Sequence, residues 1–187
     1  YMKDSQRQKV YNSEFPVRQL KSVGPLENNA KVCEFVGEVI DNKKVVSMYG
    51  KQLSFKVAIT FSRGNKWAYG GYLGIKIPNN MWAFNRMVIL HELAHVIVRR
   101  THYDKEVVGH GWEFCEILLN LTEFVLGKDV AQILKAEYKK NGVRFKPKTT
   151  REFSPEHREA LRARMVSVRM QRTELKALAN FANKDNL

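Results

Sequence analysis

His91-Glu92-Leu93-Ala94-His95, a fourteen-residue spacer, and His110-Gly111-Trp112-Glu113-Phe114-Cys115 form the stretch that decides how this 187-residue chain is read. On a helix, positions i and i+4 share a face, so the imidazoles of His91 and His95 can reach one metal ion. Glu92 follows the first ligand, where its carboxylate can meet a metal-bound water without competing for the metal. A catalytic zinc site takes three protein ligands and keeps one position open. His110 is the candidate third ligand. The competing reading of a histidine on an apolar face is a core histidine with satisfied polar atoms. The second histidine segment tips the balance toward a metal site.

Working outward, the spacing predicts a helix from Met81 to Arg100. Asn79 and Asn80, after Pro78, are the candidate caps, and Phe84, Met87, Val88, Ala94 and Val98 share its apolar stripe with His91 and His95. His110, between Gly109 and Gly111, opens a second apolar-periodic stretch through Trp112, Cys115, Leu118, Leu119 and Leu121, ending at Gly127. Upstream, Leu53, Phe55, Val57, Ile59 and Phe61 alternate, which predicts a half-buried strand over 52–61. Arg63-Gly64-Asn65 is turn-like, and Trp67 to Ile77 reads as a second strand region with a bulge at Gly70-Gly71. Further helices are expected over 4–20, broken near Pro16, over 28–40, and over 129–141, closed by Gly142. A long helix is expected from Pro155 to about Phe181, with Ser154 as its cap.

The two histidine motifs resemble those of the SprT-like metalloprotease domain, the Spartan type, which has H-E-x-x-H, a similar spacer and then H-G-x-x-F. The likeness spans roughly residues 52–126 and includes the layout of Ile59-Thr60-Phe61-Ser62-Arg63 and Gly70-Gly71-Tyr72-Leu73-Gly74-Ile75-Lys76-Ile77 ahead of the active-site helix. The resemblance implies Zn2+ held by His91, His95 and His110, with Glu92 as general base. It implies an α+β, zincin-like fold, in which a small antiparallel sheet packs on the H-E-x-x-H helix and a second ligand helix. The chain is also similar to a group of uncharacterised phage and actinobacterial metallohydrolases, which implies a phage-encoded origin and promises only hydrolysis. One departure stands out. Many SprT-like proteins continue into a four-cysteine zinc ribbon, and here Cys33 and Cys115 stand far apart, so no ribbon forms. Both are expected as buried thiols rather than a bridge, which fits a reducing compartment.

Composition sets the outer bounds. With 44% hydrophobic residues the chain can bury a core. The expected organisation is a metallohydrolase domain over 1–145, a basic linker over 146–154 and a basic C-terminal helix over 155–187. Net charge is +13, of which +8 falls from Lys139 onward and +5 in the first 138 residues. A basic tail points to nucleic acid or another polyanion, against the plainer reading of a solvated surface. In that tail Leu161, Met165, Val168, Leu175 and Leu178 form a broken apolar stripe, interleaved with Arg158, Arg162, Arg164, Arg169 and Arg172. There is no run of eighteen apolar residues and no signal-peptide layout, so the expectation is an intracellular, cytoplasmic protein with no membrane contact.

The expected function is zinc-dependent hydrolysis of a peptide bond in a protein substrate, with DNA association through the tail. Zinc lowers the pKa of its water, and Glu92 takes the proton and passes it to the leaving amine. Candidate donors to the oxyanion are Tyr103, His102 and the Arg99-Arg100 pair. Glu113 competes with His110 for the third ligand place, or else orients a ligand or caps its helix. Trp112 is expected in the core rather than as a substrate platform. Two other classes remain open: a hydrolase of a non-peptide substrate, and a zinc-binding structural or interaction protein, for example in a phage assembly. Retention of Glu92 weighs against the last, because a structural site needs ligands but no base.

Overall fold

The computed structural model describes residues 4–64, 67–103, 107–147, 159–160 and 162–171. The chain divides into two compact units, Tyr1–Pro147 and Lys148–Leu187. The first is α+β and mostly helical. It runs α1 (Arg7–Arg18), a 3-10 turn (Lys21–Val23), α2 (Asn29–Asp41), α3 (Lys43–Leu53), β1 (Ala58–Ser62), β2 (Tyr69–Gly70), β3 (Gly74–Pro78), α4 (Arg86–Thr101), α5 (Trp112–Leu126) and α6 (Lys128–Lys140). In the second unit 159–160 and 162–171 are helical and exposed, Met165 and Val168 included. The candidate linker beyond Pro147, the Ser154 and Pro155 start signal, and Leu161, Arg172, Leu175 and Leu178 lie outside the described residues.

α4 organises the first unit. Met87 to Ala94 and Val96 to Val98 are all buried, so the helix is covered on nearly every side. α1, α2, α3, α5, β2 and β3 pack around it. The helix starts later than its sequence suggests. Asn85, rather than Asn79 or Asn80, is the cap, accepting from the Met87 N–H at 2.9 Å. Asn80 instead holds the preceding turn, where its backbone carbonyl accepts from Ala83 at 3.0 Å.

The sheet is small and mixed, in the order β1-β3-β2, which corrects the expected antiparallel sheet. The Trp67–Ile77 region splits at a tight turn in which the Gly71 N–H donates to the Gly74 carbonyl at 2.8 Å. β2 therefore folds back antiparallel on β3, with Tyr69 opposite Lys76. That occupies one edge of β3 and leaves the other for β1, which pairs in parallel from Ala58–Gly74 to Ser62–Pro78.

Three further expectations need correction. The strand does not reach back to Gln52, because 43–53 is helical. Val45, Tyr49 and Leu53 recur every four residues and are buried, and the Asn42 side chain accepts from the N–H groups of Lys44 and Val45. α1 is not broken at Pro16. The proline sits in the last turn, and its carbonyl accepts from the Gln19 N–H at 3.2 Å. Cys33 is exposed, since the buried stripe of α2 is Val32, Phe35, Val36 and Val39, whereas Cys115 is buried as expected.

Candidate metal centre

His91 and His95 project from α4, and His110 from the segment that enters α5. Their ligand atoms all lie within 4.8 Å of one another. His91 and His110 are buried, and His95 is partly open. The Phe114 ring lies 4.3–4.9 Å, centroid to centroid, from each of the three imidazoles and gives the cluster an apolar wall. Residues of this type, gathered this way, can hold a metal ion.

The support for these histidines comes from the N-terminal end of the chain. The Nδ1 of His91 bonds the Glu14 carboxylate at 2.7 Å, and the Nδ1 of His110 bonds Asp4 at 2.6 Å. A carboxylate has only acceptors to offer, so each Nδ1 carries the hydrogen and donates it. The Nε2 atoms are thereby turned toward each other and stand 3.3 Å apart. Two imidazole lone pairs at that distance call for a shared proton or a shared cation. This is the arrangement that orients histidine ligands at metal sites. The donor set therefore fits a metal ion that accepts imidazole nitrogen.

Electrostatics follow the same pattern. Burial works against a charged His91, but the fully buried Glu14 outweighs it and holds the imidazole above its usual pKa. Burial likewise pushes Glu14 up, while His91 and Arg18 pull it below the usual carboxylate range. Arg18 reaches Glu14 at 2.5 Å, so the buried carboxylate has a guanidinium on one side and the His91 ring N–H on the other. His95 is driven well below its ordinary value by burial and by the neighbouring His91 and His110. Burial lowers His110, with Asp4 opposing. Burial also pushes the Glu92 carboxyl up to about 7, although the His91 charge and the Gly70 N–H both favour its ionised form.

None of Asp4, Tyr11 or Glu14 was picked out by motif. Tyr11 stacks on His91 at 5.4 Å between ring centroids and meets His110 edge-on at 5.3 Å. The signal, in retrospect, is a polar stripe. Asp4, Arg7, Tyr11, Glu14 and Arg18 recur every three or four residues. Nothing short of the fold says where that stripe faces. α1 is held in place by Ser13, which accepts from Asn141 at 3.0 Å, and by Gln6, which donates to the His110 carbonyl at 3.0 Å.

β2 closes the other side. Gly70 lies so close to α4 that a Cβ there would come 2.7 Å from the Cβ of His95 and closer still to the Glu92 carbonyl. The Gly70-Gly71 pair thus marks a close backbone approach rather than a bulge alone. Between α1 and the sheet opens a cleft of about 1090 Å3, with His91 and Glu92 in its lining.

The remaining candidates fall elsewhere. Arg100 spends its guanidinium on the carbonyls of Gln52, Phe55, Lys56, Tyr72 and Leu73, which fastens two loops to the end of α4. Arg99 lies over the Tyr69 ring. Tyr103 is exposed, and His102 lines a separate groove with the half-buried Trp112. Glu113 sits in the first turn of α5 with its carboxylate beside Gly111, outside the three-histidine cluster. Among the described residues no helix is long and apolar enough to cross a membrane. Comparison of the chain with protein-family models, with curated proteins and with solved structures finds no match.

Proposed function

We propose that this chain is a zinc-dependent hydrolase of SprT-like, zincin-type architecture that cuts peptide bonds in protein substrates. One observation carries the reading: three histidines converge, and the first of them lines an open cleft together with the buried glutamate that follows it in sequence. His91, His95 and His110 would hold the zinc. When bound, zinc supplies Lewis acidity, acidifying water and polarising a carbonyl. Glu92 changes protonation near neutral pH, which suits a group that accepts a proton and hands it on. The Gly70 N–H fixes where its carboxylate stands. Glu14 and Asp4 hold the ligand rings, and Phe114 keeps their surroundings apolar. A purely structural zinc site would have no use for an acid–base carboxylate at the edge of an open cleft.

The test pairs composition with turnover. Elemental analysis is expected to find about one zinc per chain, lost in His95→Ala. Glu92→Gln is expected to keep the zinc and lose hydrolysis of an unfolded protein substrate. Equal zinc in wild type and His95→Ala removes the metal site. Full turnover in Glu92→Gln removes the base.

For the C-terminal segment the proposal is a sequence-tolerant contact with DNA, in the intracellular, phage-type setting that the resemblance suggests. It is supported by the +8 charge from Lys139 onward and by the exposure of 162–171. Such binding weakens steeply with salt as counterions are released.

A further inference from the structure

The cleft in front of the histidines has walls of a distinct kind. Trp67, Tyr69 and Trp82 line it with their rings largely exposed, at 70%, 52% and 42%. Solvent-exposed rings gathered at one concavity mark a surface made to be covered. Among the described residues, the cations Arg7, Arg18 and Lys76 stand with them. Arg7 lies over the Tyr11 ring on the α1 wall, and Lys76 is the register partner of Tyr69 on the sheet wall. Among the described residues the only acidic side chain in the lining is Glu92.

Arg18 carries the argument deeper. One arm of its guanidinium holds Glu14. Its Nε is buried and has no hydrogen-bond partner. A buried donor left unmatched is costly, and a ligand carboxylate is the acceptor that suits a guanidinium. Through Glu14, this same arginine is tied to His91. An anion that reached it would sit beside the catalytic centre rather than at the cleft mouth.

Resting on the peptidase reading above, we infer that the cleft selects peptide segments carrying an aspartate or glutamate next to an aromatic residue, close to the bond to be cut. The substrate carboxylate meets Arg18, with Arg7 and Lys76 adding favourable potential, and the aromatic ring lies among Trp67, Tyr69 and Trp82. A single carboxylate suits a guanidinium that is paired with Glu14 through one nitrogen and has its Nε unmatched.

The experiment uses zinc-loaded Glu92→Gln protein and fluorescent peptides of equal length. One peptide pairs glutamate with phenylalanine, one replaces the glutamate by lysine, and one replaces the phenylalanine by alanine. An oligothymidylate serves as competitor. The acidic–aromatic peptide is expected to bind roughly tenfold tighter than the lysine peptide, the scale of one charge-assisted hydrogen bond. Arg18→Lys and Lys76→Glu are each expected to shrink that ratio. Zinc content is read in every sample, so a misfolded variant is set aside, and the peptide ratio on the parent protein still decides. Equal binding of acidic and lysine peptides overturns the inference. So does displacement of the acidic peptide by stoichiometric oligothymidylate, which assigns the cleft to nucleic acid. If the acidic peptide binds selectively but zinc-loaded wild type cuts no peptide, the peptidase reading falls and the cleft assignment stands.

Discussion

α4 and α1 supply the same site in opposite ways. α4 is buried over Met87 to Ala94 and Val96 to Val98, so its two histidines and glutamate interrupt a core helix. α1 buries only Val10, Ser13, Glu14 and Val17 and carries no recognisable motif. Yet α1 holds the ring of His91 and, with Asp4 just ahead of it, the ring of His110. The partners are separated by 77 and 106 residues. The comparison teaches that the identity of ligands is a local property of the chain, while their orientation is a property of the fold.

Predictions follow from trying to break that division, starting with the largest effect. Removing a ligand, His91→Ala or His110→Ala, is expected to abolish stoichiometric zinc by elemental analysis, because three nitrogens are the minimum the site offers. Removing a support is expected to leave a weaker site. Glu14→Gln should cost roughly 10–100-fold in zinc affinity in a chelator competition. Asp4→Asn, which removes a carboxylate that is 26% exposed, belongs at the lower end of that range. If Glu14→Gln binds zinc as tightly as wild type, α1 is a packing element only.

Zinc itself should sharpen the contrast, since an ion that binds the folded state alone stabilises it by mass action. At a hundredfold excess over its dissociation constant, the melting temperature is expected to rise by about 5–10 °C, reversed by chelator. Glu14→Gln should show less of that rise at the same zinc concentration. Gly70→Ala tests the far wall. A methyl group aimed at the α4 backbone is expected to cost about 1–3 kcal/mol in urea unfolding. The smallest effect on the centre belongs to the tail. Replacing Arg162, Arg164, Arg169 and Arg172 by Gln should leave zinc content unchanged while flattening the salt dependence of DNA binding.

Much of this architecture could be read before folding, and the reasons differ by region. His91, His95 and His110 were legible because the i, i+4 spacing fixes a shared face over a single turn, and the structure does bring the three together. The helices around them follow from caps and stripes such as Asn28 with Val32, Phe35 and Val39. α3 was not legible because Leu53, Phe55 and Val57 mimic a strand. The competing helical period of Val45, Tyr49 and Leu53 begins eight residues earlier. The mixed sheet was hidden because strand direction depends on which edge of β3 the two-residue β2 takes. Glu14 was hidden for the deepest reason. A glutamate in an amphipathic helix ordinarily faces water, and its pairing with the His91 ring N–H and the Arg18 guanidinium makes its full burial tolerable.

The way α1 is anchored has a consequence for how the chain acquires its structure. α1 packs against α4 and α6, and the Arg144 N–H donates to the Gln6 side chain across 138 residues of sequence. α1 precedes the other helices of this unit in sequence and therefore finds its seat only after nearly all of the first unit has emerged. Until then Glu14, Ser13 and Val10 have no interior to enter. Contacts of such long sequence separation slow folding, because loop closure is entropically costly before the contact forms. Docking of α1 is thus expected late in folding, and with it the histidine cluster gains its two carboxylates.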